Sequence, residues 1–170
     1  MINLAEVLSA DELGLRKNVF VKVSGDELSN PKFQTWIRDK SSTSYVVVLA
    51  GGGTQITEMF TRLGLPLRDF HRVLGRPTPT FIERLMAYFV LARNKAKLED
   101  QLAAMGIHVT VEIPVINSGA VLCHVNGDIY TRAVANSYDE VFVVTMPQRL
   151  EKKRLEFQDL EGRVEVIAFD

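Results

Sequence analysis

Apolar residues in this chain follow two rhythms that alternate along its length. Short blocks, VFVKV at 19–23, YVVVLA at 45–50 and VFVV at 141–144, are rich in β-branched residues and strand-sized. Between them, apolar positions recur every three or four residues, the spacing of a helix with one buried face. The blocks predict strands over Val19–Ser24, Tyr45–Ala50, Ile107–Val115, Ala120–His124, Val141–Thr145 and Val164–Phe169. The INSG stretch separates the third from the fourth. Tyr45–Ala50 has no polar alternation, as expected of a strand covered on both faces of a parallel sheet.

Helix boundaries carry their own signals. Leu4–Leu15 is a short amphipathic pattern. Ser29 or Asn30 caps a helix that opens on Pro31 and places Phe33, Trp36 and Ile37 on one side. Thr54–Leu63 is a helix stopped by Gly64. Leu65–Pro79, with three prolines, is irregular. Thr80 and Glu83 have capping-box spacing, and the long helix they open runs to about Met105 before Gly106. Two further helices are predicted over Asp128–Ser137 and Arg149–Phe157. Strands and helices therefore alternate, which predicts an α/β fold: a three-layer α/β/α sandwich on a mostly parallel central sheet. Such sheets bind ligands beyond the carboxyl ends of their strands.

Composition adds few constraints. The 170 residues are 46% hydrophobic with formal net charge −1, enough for one compact domain and giving no global positive field for nucleic acid. Cys123 is the only cysteine, so no disulfide forms within the chain and a reducing cytoplasm is expected. The start of the chain lacks a signal-peptide pattern, and no apolar run reaches membrane-spanning length.

The candidate chemistry sits where strands turn into helices. Gly51, Gly52 and Gly53 follow the most apolar strand and precede a helix. Bare backbone N–H groups at a helix start suit an oxyanion, although a tight turn alone also uses glycine. Lys22 ends an otherwise apolar strand and is followed by Ser24 and Gly25. A charge there needs either solvent or a partner, and a phosphoryl group is one fitting partner. The segment 61–76 carries Arg62, Arg68, Arg72 and Arg76 with His71, which suits either an anionic substrate or a solvated surface. Arg149, Lys152, Lys153 and Arg154 alternate with glutamates, as on an exposed helix face, with a nucleotide-phosphate contact as the sharper reading. The apolar stripe Phe81, Leu85, Tyr88, Phe89 and Ala92 fits core or a subunit interface. No P-loop, dinucleotide fingerprint or metal-like spacing of His71, His108 and His124 is present.

Three segments in order resemble the amino acid kinase family, with flavours of its uridylate and acetylglutamate kinases. They are VFVKVSGDEL, YVVVLAGGGTQI and HVNGDIYTRAVANSYDEVFVVT, covering about Val19 to Thr145. The resemblance implies an ATP-dependent small-molecule kinase that takes Mg2+ with the nucleotide and acts on a small acid, alcohol or phosphate. It implies that Lys22 stabilises the transferring phosphoryl group and Asp128 orients that lysine. Ser24, Gly25, Gly51, Gly52, Gly53 and Asn126 would hold phosphate or substrate. Pairing of subunits through the Thr80–Met105 helix is also implied, giving a homo-oligomer. The chain departs from the pattern after Thr145, where MPQRLEKKRLEF replaces the usual nucleotide loop. Much of the family's C-terminal ATP-binding half is not recognisable, and neither is a uridylate-specific substrate segment. Thr145, Arg149, Lys152 and Lys153 are the remaining nucleotide-side candidates. The alternative expectation is an inactive relative that binds a small anionic ligand or serves as a regulatory subunit.

Overall fold

The computed structural model describes residues 16–69 and 75–170. The expected helix over Leu4–Leu15, and the residues His71 and Arg72, lie outside the described residues. In chain order the elements are β1 (Lys17–Val23), α1 (Pro31–Ser41), β2 (Ser44–Ala50), α2 (Gly53–Arg62), α3 (Phe81–Ala104), β3 (Thr110–Glu112), β4 (Val115–Ser118), β5 (Val121–His124), α4 (Gly127–Val134), β6 (Glu140–Val144), α5 (Leu150–Glu156) and β7 (Glu165–Ile167). Five strands form one sheet in the order β3-β2-β1-β6-β7, and each of its pairings is parallel. This is the α/β fold with a mostly parallel sheet that the alternating rhythms predict.

The expected strand over Ile107–Val115 divides in two. Pro114 has no N–H to give a ladder and sits between β3 and β4. The INSG stretch is mostly strand rather than a break: β4 pairs antiparallel with β5, and the chain reverses at Gly119 with φ of +61°. The helix expected over Asp128–Ser137 ends as α4 at Val134 and continues as one 3-10 turn over Ala135–Ser137.

Side-chain alternation on β1 organises the interior. Val19, Val21 and Val23 join Val46, Val48 and Val144 against Phe33 and Ile37 of α1 and Leu98 and Leu102 of α3. Phe33 and Ile37 are fully buried, each contributing about 1.5–3 kcal/mol. Phe20 joins Leu49, Val141, Val143 and Phe157, packed by Tyr130 and Val134 of α4. Lys22 belongs by the same alternation to the Phe20 set, and α4 starts above it. Asn30 caps α1 with its side chain on the Lys32 N–H, and Thr80 and Glu83 form the reciprocal capping box of α3. Among the described residues no helix is long and apolar enough to cross a membrane.

Candidate functional site

The carboxyl ends of β1, β2 and β6 open on a cavity of about 340 Å³. Because β1 and β2 are neighbours in the sheet, their two glycine turns meet there. Gly51 N–H donates to Val23 O at 2.9 Å, and Asn94 Nδ2 on α3 donates to Gly51 O at 2.8 Å. A Cβ at Gly25 would lie 2.9 Å from Gly51 O and 2.3 Å from Gln55 Oε1, so that approach is open only to glycine. Gly52 is pressed on Leu91 of α3, whereas Gly53 faces open space at the first position of α2. Packing thus accounts for Gly25, Gly51 and Gly52. Gly53, Thr54 and Thr57 then present the N-terminal turn of α2 to the cavity, where free N–H groups favour an anion.

Lys22 is only 8% exposed, and its partner is Asp128. Asn126 caps α4 by accepting the Asp128 N–H at 3.0 Å, and this fixes Asp128 in the first helical turn above Lys22. A Cβ on Gly127 would sit 3.5 Å from Lys22 Cε, so the helix start lies directly on the lysine stem. Lys22 Nζ is 3.2 Å from Asp128 Oδ1, an ion pair without hydrogen-bond alignment. Lys153 Nζ donates to Asp128 Oδ2 at 2.6 Å from the other side. Burial opposes ionisation of Asp128, but the Lys22 and Lys153 charges outweigh it and hold its pKa below the usual carboxylate value. Burial likewise opposes the Lys153 charge, and Asp128 and Glu156 outweigh it, raising its pKa. One carboxylate thus bridges two ammonium groups on the cavity wall.

Asp26 braces the cavity rim: it accepts from Thr54 Oγ1 at 3.0 Å and Gln55 Nε2 at 3.1 Å, and lies 3.6 Å from Arg149 Nη1. It ties the lysine turn, the start of α2 and the segment after β6 to one another. Thr145 lines the same cavity at the end of β6. Thr57, Arg76, Pro114, His124 and Asn126 line it as well. Arg76 Nη2 donates to Thr57 Oγ1 at 2.6 Å, and the described residues give it no carboxylate partner. Burial pushes its pKa down. His124 Nδ1 is buried without a hydrogen-bond partner, and burial, with the Arg76 charge beside it, lowers the imidazole to about 4. A guanidinium with no carboxylate partner among the described residues, next to a neutral imidazole, suits a small anionic group.

The structure brings together Lys22, Ser24, Gly25, Gly51, Gly52, Gly53, Asn126, Thr145, Arg149 and Lys153 around this cavity, with Asp128 joined through the two lysines. Lys152 is exposed on α5 and does not line it. Of the arginine-rich segment, Arg62 is exposed, Arg68 pairs with buried Glu83 at 3.2 Å, and Arg76 alone among its described cations reaches the cavity. Sequence reasoning did not single out Asp26, Asn94, Thr57 or Glu156. Asp26 directly follows the lysine turn, which is the nearest thing to a signal for it. The described residues contain no group of three or more His, Cys, Asp or Glu placed to hold a metal ion. No family model matches the chain, and no curated protein matches it.

Proposed function

We propose that this chain is an ATP-dependent small-molecule kinase of the amino acid kinase type, transferring the γ-phosphoryl group to a small anionic acid, alcohol or phosphate. The observation that carries this reading is Asp128 bridging Lys22 and Lys153 beside two facing glycine turns. Phosphoryl transfer is chiefly positioning plus stabilisation of charge spread over the moving oxygens. Two ammonium groups held apart by one carboxylate meet that requirement. In the transfer the bond from the γ-phosphorus to the ADP oxygen breaks and a bond to the acceptor oxygen forms. An alcohol acceptor gives its proton to solvent, while an acid or phosphate enters already ionised.

In this reading Lys22 and Lys153 contact the phosphoryl oxygens, and Asp128 is a positioning residue that fixes both. Backbone N–H groups of Gly25, Gly52 and Gly53, with the Ser24 hydroxyl, cradle phosphate, while Gly51, its N–H bonded to Val23 O, shapes the turn. Arg149 and Thr145 face the nucleotide side, and Arg76, His124 and Asn126 face the acceptor. Mg2+ would arrive with the nucleotide, held by its phosphates, and would neutralise charge on them. The exposed apolar side of α3, with Phe81 67% and Phe89 53% exposed, is where a second copy would pair. Sedimentation of wild type beside Phe89→Glu tests that pairing.

The decisive experiment is a screen of small acids, alcohols and phosphates for ATP-dependent phosphorylation, beside Lys22→Ala. Turnover that Lys22→Ala abolishes supports the kinase. Nucleotide or phosphate binding without turnover across the screen supports the alternative, an inactive relative that keeps the anion site. No binding and no turnover overturns both.

A further inference from the structure

Lys153 is held from two sides. Asp128 Oδ2 is 2.6 Å from its Nζ, and Glu156 Oε2, one helical turn on, is 2.5 Å away. Glu156 is braced from behind, because Arg132 Nη2 donates to its carbonyl oxygen while Arg132 grips both carboxylate oxygens of Asp159 at 2.6 and 2.9 Å. Lys22 and Lys153 therefore face two carboxylates, Asp128 and Glu156, and the four groups sum to zero. Asp128 is shared between the two lysines, whereas Glu156 touches Lys153 alone of the pair. Its side chain is 33% exposed, against 17% for Lys153, so it has room to leave.

We propose that Glu156 is a counter-carboxylate that competes with the incoming phosphate for Lys153 and so sets the affinity of the cavity for polyphosphate. The inference rests on the reading of Lys153 as a phosphoryl contact. A phosphate oxygen at Lys153 Nζ takes up donor capacity that Glu156 now occupies, and it meets the Glu156 charge at close range. Glutamine at 156 keeps an acceptor for Lys153 and removes the charge. If Glu156 only positions Lys153, that exchange leaves affinity unchanged or lowers it.

The test is calorimetric titration of inorganic pyrophosphate, and of a non-hydrolysable imido-ATP analogue with Mg2+, into wild type, Glu156→Gln, Lys153→Met and the double variant. Glu156→Gln is expected to tighten pyrophosphate binding by about two- to fivefold, the upper part of the range for a partly exposed ion pair. The gain should vanish in the Lys153→Met background, because the competition runs through that lysine. Glu156→Ala, which also removes the charge, reports the same gain if Glu156→Gln does not fold. Unchanged or weaker binding in a folded variant overturns the proposal, as does an equal gain without Lys153. Tightened binding with no phosphotransfer in any substrate screen defeats the kinase reading and leaves this one standing. Phosphotransfer with no gain in Glu156→Gln does the reverse. Neither probe binding wild type or variant defeats both.

Discussion

Asp128→Asn removes one negative charge from between two lysines while keeping the side chain's shape. Lys153 retains Glu156, so Lys22 bears the loss, with its side chain 10% exposed and Asp128 its only ion-pair partner among the described residues. Removing one member of a buried pair costs about 3–5 kcal/mol. Partial exposure of Asp128 puts the expectation at the lower end, about 3 kcal/mol. With a urea m-value of about 2 kcal/mol/M for a chain of this size, the unfolding midpoint falls by about 1.5 M. Lys22→Met in the same background should recover at least about 1 kcal/mol, because the uncompensated charge is gone. The pH dependence has a defined sign. The folded-state pKa of Asp128 is depressed below 3.8. Its contribution is therefore present above the unfolded value and is lost as pH falls through the folded one. The gap between wild type and Asp128→Asn should be flat at neutral pH and close only below about pH 4. A loss below about 1 kcal/mol at pH 7, or no recovery on removing Lys22, would refute the claim that Asp128 neutralises a buried lysine.

Three further outcomes follow from the same geometry. His124, lowered from 6.5 to about 4, favours the folded protein when neutral, so stability should fall as pH drops from about 6.5 to 4. The loss, about 3 kcal/mol in full, should be absent from urea titrations of His124→Gln. Gly25→Ala drives a Cβ to within 2.9 Å of Gly51 O, separating the two glycine turns. It should cost about 1–3 kcal/mol and weaken pyrophosphate binding measured by calorimetry. Arg76→Met should raise the KM of whichever acceptor the screen identifies at least tenfold, while leaving affinity for the imido-ATP analogue unchanged, if Arg76, beside His124 on the cavity wall, faces the acceptor as proposed.

The alternation of apolar blocks and helical spacing determined the α/β class and most of the described elements, because burying one stripe of a helix or both faces of a strand leaves a periodic trace in the chain. Glycine and a stray lysine at strand ends marked two of the turns for the same local reason: each is expensive or pointless elsewhere. Pro114 was visible in the chain, yet its effect depended on which strand lay beside it, so the split of β3 from β4 was not. Tertiary structure alone decided that β1 and β2 are neighbours, and with that, that Gly25 touches Gly51. It also chose among cations that look alike in sequence. Lys152 and Lys153 are adjacent, but a helix turns each residue by about 100°, and the docking of α5 sends one to solvent and the other to Asp128. Arg68 and Arg76 share one basic stretch, yet one neutralises a buried glutamate and the other faces the cavity. Charge is written in the residue, but whether a counter-charge stands beside it depends on chain segments tens of residues apart, and only the packed fold brings those together.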